Sequence, residues 1–353
     1  MSDVAGAPNV VVTIGGSPVS DNHFMSYVVD RDMFQPDMAS ITLANQNDVY
    51  STKAVGAEVE IKVGDDNKSI FKGEIVGLEP VYKGGEKAKI LIRAMNKFHK
   101  LLRIRKSVTF TDKTDEQILK QVVSDAGLSL EWKHEKSITY KHVYQHNQTS
   151  MEFLRTRAAR MGCHVWCVGD KIFVKQPELQ GKEVATLLVD GAAKDAELRS
   201  FSPRLNSTNV VSKVTVKGWN PETKELITGE ASVQSSQLGS QTSSAGAGPH
   251  GGEESFTVDH PIWSKEEATA LAKAKLQDAS LSYITGEAEV KGSSVFELGK
   301  LVAVTAAAGS EGANDPFNGK YYIMGITHRH VVSKSKDGGY TTILRFARDA
   351  QKK

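Results

Sequence analysis

The sequence predicts a mainly β protein in which two similar small antiparallel β-barrels flank a helix-containing α+β middle domain. Three observations carry this. Both ends of the chain alternate apolar and polar residues with period two and break at Gly or Asn/Asp tips, the pattern of antiparallel strands with one buried face. The block from Val55 to Ala94 is repeated in outline by the block from Leu298 to Ala347. Between residues 110 and 178 the apolar period becomes helical and capping signals appear.

The repeat rests on four features in the same order. A Gly precedes by three residues the Val that opens an alternating strand, Gly56 before Val59 and Gly299 before Val302. Phe-x-Gly opens the next strand, Phe71 to Gly73 and Phe317 to Gly319. Both blocks then pass through a Gly-Gly turn, Gly84-Gly85 and Gly338-Gly339, into an Ile-Leu run. Pairwise identity is low, so the expectation is duplication of structure.

Residues 1–102 form the expected first barrel, with NVVVTIGG, FMSYVVDRD and ASITLAN as its opening strands. The stretch 97–106, KFHKLLRIRK, carries five Lys/Arg in ten residues. It is either a basic strip facing an anionic partner or, more simply, a solvated connector anchored by Leu101, Leu102 and Ile104.

Residues 103–182 form the expected middle domain. Asp112 or Thr114 caps a helix burying Ile118, Leu119, Val122, Val123 and Ala126, and Gly127 ends it. The capping box Thr149-Ser-Met-Glu152 opens a second helix, which buries Phe153, Leu154, Ala158 and Met161 and stops at Gly162. CHVWCV then turns at Gly169-Asp170 and returns as KIFVKQP.

Residues 183–233 are expected to return as strands into the second barrel, NVVSKVTVKGWNP being the clearest. Residues 234–260 are rich in Ser, Gly and Gln and too poor in apolar residues to bury anything alone. They predict a flexible loop that a partner orders, marked by Gln234, Gly246, His250 and Ser255. Residues 261–353 supply a helix, opened by the capping box Ser264-Lys-Glu-Glu267, and the rest of the second barrel. After Arg345-Phe-Ala only a short polar tail is expected.

A formal charge of +2 over 353 residues, with no basic face, predicts no nucleic-acid partner. Two cysteines are too few for a disulfide framework. The N-terminus has no basic-then-apolar leader, and no window approaches the ~18 apolar residues of a membrane span. The expectation is cytoplasmic synthesis without a signal peptide and no stable membrane insertion.

No catalytic, cofactor-binding or metal site emerges. On a strand, Cys163, Val165 and Cys167 share a face and His164 takes the other, so three ligands cannot converge. His134, His142 and His146 have no supporting cysteine or carboxylate spacing. His328 and His330 alternate onto one face of a strand, a pair for a surface or an interface. There is no G-x-S-x-G, P-loop, H-E-x-x-H or strand-to-helix G-x-G-x-x-G.

The order of elements resembles the tail-hub proteins of contractile injection machines, namely phage late control protein D and the N-terminal hub region of VgrG proteins. The family's "Q-x-x-x-S-D-x-x-F-L" helix, Gly and hairpin are similar to Gln145, Ser150, Phe153, Leu154, Gly162 and Phe173, although Ser150 lies five residues after Gln145 where the pattern has four, and Met151 after it is not acidic. Its terminal "G-x-Y-x-I-x-G-I-x-H" is similar to Gly319, Tyr321, Ile323, Gly325, Ile326 and His328. The helix from Ser264 to Leu281 sits where that family has an Ala-rich helix.

What the resemblance implies is a non-enzymatic structural hub assembled into a phage tail or tail-like particle. A homotrimer with two barrels per chain would present six like units to the inner tube protein ring and baseplate proteins, and a three-fold face to the spike. VgrG proteins continue into a needle where this sequence stops, so the spike is expected on a separate chain. Ring contacts are expected on barrel edge strands through Val59, Ile61, Val63, Val302 and Val304. The rival readings are a tail-associated carbohydrate-processing enzyme, which would need a carboxylate pair that does not stand out, and an adhesin-like binding module. The latter would need clustered aromatics, whereas Trp132, Trp166, Trp219 and Trp263 are scattered.

Overall fold

Alternating burial along the first hundred residues builds the N-terminal module. Its strands are β1 (Val10–Ile14), β2 (Ser17–Pro18), β3 (Phe24–Asp32), β4 (Met38–Ala44), β5 (Glu58–Val63), β6 (Lys68–Val81) and β7 (Lys89–Met95). In β4 and β7 every second side chain is buried, so one face of the sheet is core. The computed structural model describes residues 9–134, 137–189, 197–233, 235–250, 252–258, 261–306, 315–332 and 339–352.

The middle domain comprises β8 (Arg105–Thr114), α1 (Asp115–Ser124), β9 (Ser129–Lys133), β10 (Thr139–Thr149), α2 (Ser150–Arg160), β11 (His164–Val168) and β12 (Lys171–Lys175). Each helix starts where a strand ends, because the last strand residue is also its cap. Thr114 and Thr149 accept from the amides of Gln117 and Glu152, whose side chains accept from the cap amides in return. Gly127 and Gly162 follow the helices with φ of 72° and 65°. Between the helices lies a buried ion pair, Arg157 Nε to Asp115 Oδ1 at 2.6 Å.

The chain returns through β13 (Glu183–Leu188) and β14 (Leu198–Leu205) and then leaves the barrel. Strands β15 (Val211–Asn220) and β16 (Glu225–Ser232) join β18 (Gly252–Thr257) in a separate three-stranded sheet. Helix α4 (Lys265–Leu281) covers that sheet through Ala268, Leu271, Ala272 and Leu276 against Val214, Val216 and Ala231. The clearest strand of the sequence is thus no part of the second barrel. Its alternation fixes one buried face and says nothing about what covers it.

The Gly/Ser-rich segment is likewise not a loop awaiting a partner. Its described residues form β17 (Gln241–Thr242), the short helix α3 (Ser243–Ala247) and β18, which pairs parallel to β15. The chain itself supplies the partners. β17 pairs with β23 (Ala350–Gln351) in the polar tail, where Ala350 is fully buried. Arg348, 1% exposed, donates to the carbonyls of Leu238 at 2.9 Å and Asn318 at 3.0 Å. The capping box at Ser264 is half made: Glu267 donates its amide to Ser264, but its carboxylate takes the Trp263 amide and Arg160.

The C-terminal module is completed by β19 (Ile284–Lys291), β20 (Leu301–Thr305), β21 (Gly319–Val331) and β22 (Gly339–Arg348). Its strand order, β13-β20-β21-β22-β19-β14, matches β1-β5-β6-β7-β4-β3 of the first module position by position. One pair differs in direction: β13 and β20 are parallel where β1 and β5 are antiparallel.

Local geometry repeats too. Gly56 and Gly299 sit at φ of 90° and 77°, and their amides donate to Ile75 and Ile323 at 2.8 and 3.0 Å. Those isoleucines donate back to Ala57 and Lys300, each at 2.9 Å. A bulge follows in both, Ile75-Val-Gly77 facing Ala94 and Arg93, and Ile323-Met-Gly325 facing Phe346 and Arg345. From these anchors Gly73 faces Val59, whereas Gly319 faces Val304, two residues past the counterpart Val302. The Phe-x-Gly match in the sequence is therefore an accident of spacing, and Gly338 lies outside the described residues.

Candidate assembly interface

Strand β21 is longer than one neighbour needs. Its first half pairs with β20, and its second half, Gly325 to Val331, pairs antiparallel with β3 across the module boundary. This seam joins both half-barrels into one continuous sheet. On its inner face Ile326, His328 and His330 stand opposite Arg31, Val29 and Tyr27, all buried. On its outer face Thr327 donates to Asp30 at 2.5 Å, and Arg345 of the adjacent strand donates to Asp32 at 2.7 Å.

The two histidines are thus core groups and not surface ones. His328 is fully buried; its Nδ1 lies 2.8 Å from the Tyr340 hydroxyl and 3.2 Å from that of Thr342. Burial first, then the Arg31 and Lys68 charges, push its imidazole down to about 3. His330 stacks on Phe24 and Tyr27 with centroids 5.7 Å apart in both cases, and burial lowers it as well. Asp37, beside the seam, is pushed up to about 6 by burial, against the opposing pull of Arg31 at 3.3 Å.

The strands expected to carry ring contacts cannot do so. β5 lies between β1 and β6, and β20 between β13 and β21, so neither is an edge. Val59, Ile61, Val63, Val302 and Val304 are all at most 1% exposed and fill the two cores. Hydrophobic alternation marks a strand with a buried face, and interior strands show it most strongly.

Of the expected partner-ordered residues, Gly246 packs so closely on Tyr283 that a Cβ would lie 2.0 Å from its hydroxyl. His250 is exposed, the backbone of Ser255 lies in β18 opposite Thr215, and Gln234 lies outside the described residues. The basic stretch is matched within the chain: Lys97 pairs with Asp170, Lys100 with Glu74, Arg105 with Glu152 and Lys106 with Asp125. Leu101 is buried there, while Leu102 and Ile104 are exposed.

The resemblance motifs prove to be packing devices. Gln145 is buried and donates to the Gln148 carbonyl, spanning a bulge between β8 and β10. Cys163 and Cys167 are free and buried, and burial pushes both thiols up to about 12. Among the described residues, no group of three His, Cys, Asp or Glu is placed to hold a metal ion. Among them also, no helix is long and apolar enough to cross a membrane.

The model of the family described as the Alg8 N-terminal domain matches residues 17–331. The chain belongs to this family. No curated protein matches the sequence. Among solved structures, the tail protein of Neisseria meningitidis MC58 superposes with a TM-score of 0.72 at 16% identity, covering 97% of each chain. The 43 kDa tail protein of prophage MuSo2 from Shewanella oneidensis gives 0.69 at 15% identity, covering 98% of this chain and 100% of that one. An E. coli component of the type VI secretion system, described as similar to the T4 bacteriophage tail proteins gp27 and gp5, gives 0.60 at 11%, covering 95% and 76%. This Alg8 N-terminal domain family member therefore has a fold shared with those tail proteins.

Proposed function

We propose that this chain is the structural hub of a contractile injection machine. On this reading three copies adapt the six-fold inner tube and baseplate to a three-fold spike, in the manner of late control protein D and the hub region of VgrG, and the chain is not an enzyme. The observation that carries it is the duplicated half-barrel, alike in strand order, in the Gly56 and Gly299 turns and in the bulges facing Arg93 and Arg345. Two like modules per chain let three chains offer six similar surfaces, which a ring of six subunits requires. The tail-protein names of the similar structures agree with a place in such a particle. The work is mechanical: force passes through subunit interfaces, and the fused sheet makes the two modules of a chain move as one.

The test is the mass of the purified chain by light scattering, together with image averaging of the particle. A trimer with six lobes at one radius is expected. A stable monomer or dimer, or lobes at two radii, refutes the hub.

A further inference from the structure

The duplication assigns a counterpart to each strand of the seam. The Ile-x-Gly bulges superpose β6 on β21. Ala39 faces Ala94 and Val29 just as Gly286 faces Phe346 and Pro203, which superposes β3 on β14. Within the chain β3 seats on the second half of β21. The same half of β6, Gly77 to Val81, has β7 on one side and, among the described residues, no strand on the other. Along Phe201 to Leu205, β14 has β19 on one side and likewise no strand on the other.

We infer that a second copy of this chain seats its β14 on the free half of β6, repeating between chains the junction that β3 and β21 make within one. This rests on the hub reading and supplies the contact that closes its ring. Transferring the seam register puts Leu205 of the second copy opposite Leu78, Pro203 opposite Pro80 and Phe201 opposite Tyr82 on the inner face. These are the positions that Arg31/Ile326, Val29/His328 and Tyr27/His330 occupy at the seam.

The seam positions are buried, whereas Leu205 is 39% and Tyr82 63% exposed. Each pair thus has one exposed member, Leu205, Pro80 or Tyr82, against a half-buried one, Leu78, Pro203 or Phe201, where the seam counterparts are covered. On the outer face Arg204 falls opposite Glu79, which already pairs with Arg93 at 2.5 Å, so Arg204 would add a second cation to that carboxylate, as Arg345 stands beside the Asp30 and Thr327 contact at the seam. Arg204 lines one wall of a cleft of about 670 Å³ beside β14, together with Glu287 and Arg345.

Proline distinguishes this junction from an ordinary ladder. Pro80 and Pro203 have no amide hydrogen to offer, so the centre is held by side chains, and neither edge accepts an arbitrary strand. Because the two surfaces differ, the contact is head-to-tail, which yields a ring when the rotation closes.

The test uses Leu78→Cys with Leu205→Cys in the full chain, beside each single variant, treated with a short thiol cross-linker. Directly opposed residues have Cβ atoms about 5 Å apart, and the native thiols are buried. Covalent dimers and trimers from the double variant, absent from the singles, are expected. In parallel, Glu79→Arg or Arg204→Glu should raise the concentration for half-assembly about tenfold, and the combined swap should restore it. A trimer that neither links nor responds to the charge changes overturns this junction and leaves the hub standing. A chain that stays monomeric and unlinked overturns both.

Discussion

Replacing His328 by glutamine removes a titrating group from the centre of the sheet and should flatten the acid sensitivity of the fold. The imidazole sits at about 3 in the folded chain because burial and the Arg31 and Lys68 charges disfavour its protonation, against about 6.5 when unfolded. Below pH 6.5 the unfolded chain takes up a proton that the folded one refuses, so stability falls as pH falls and stops falling near pH 3. At about 1.4 kcal/mol per pH unit, the window comes to roughly 4–5 kcal/mol.

Asp37 works in the opposite sense. Its folded form holds a proton up to about pH 6, while an ordinary carboxyl loses it near 3.8, so acid relieves its cost. Asp37 and His330 are common to both proteins and drop out of their difference. Urea unfolding followed by tryptophan fluorescence from pH 7.5 to 4 should therefore show the wild-type advantage shrinking by about 1.4 kcal/mol per unit below pH 6.5. Parallel curves for wild type and His328→Gln, or a resonance titrating near 6.5 in wild type that is missing from His328→Gln, would refute the reasoning.

Asp115→Ala leaves the Arg157 guanidinium buried without its carboxylate, 2.6 Å away in the native chain. It should cost about 3–5 kcal/mol in urea titrations, whereas Lys141→Ala, which breaks the exposed pair with Glu222, should cost below about 1 kcal/mol. Gly229→Ala would place a Cβ 2.3 Å from the α4 backbone at Ala268 and Thr269, lifting the helix off its sheet. A loss of about 1–3 kcal/mol is expected, read as a lower melting temperature. Arg348→Met removes the donors that hold the Leu238 and Asn318 carbonyls. Limited proteolysis should then cut between residues 235 and 250 many times faster, with the N-terminal module still resistant.

Much of the architecture was legible because it is written in short-range chemistry. Thr114 and Thr149 cap their helices through residues three positions on, and Gly56 and Gly299 sit in left-handed turns that other residues strain to adopt. Alternation located the strands of both modules. The same alternation misled at Val59 and Val302, since it reports a buried face and is silent about whether both edges are paired. Composition misled at 234–260: a polar segment with few apolar residues can still be ordered by a buried arginine and a parallel strand distant in sequence.

The amino-acid order by itself determined where the capped helices α1, α2 and α4 begin, that the half-barrel occurs twice, and which face of its alternating strands is core. Only the tertiary structure decided that β3 of one module completes β21 of the other, that β15 leaves the barrel to lie under α4, and that the tail folds back onto β17. Capping and alternation act between neighbours in the chain, so they can be read from it. Which of several available edges a strand joins depends on loop closure and on side chains hundreds of residues away, and no local pattern encodes that choice.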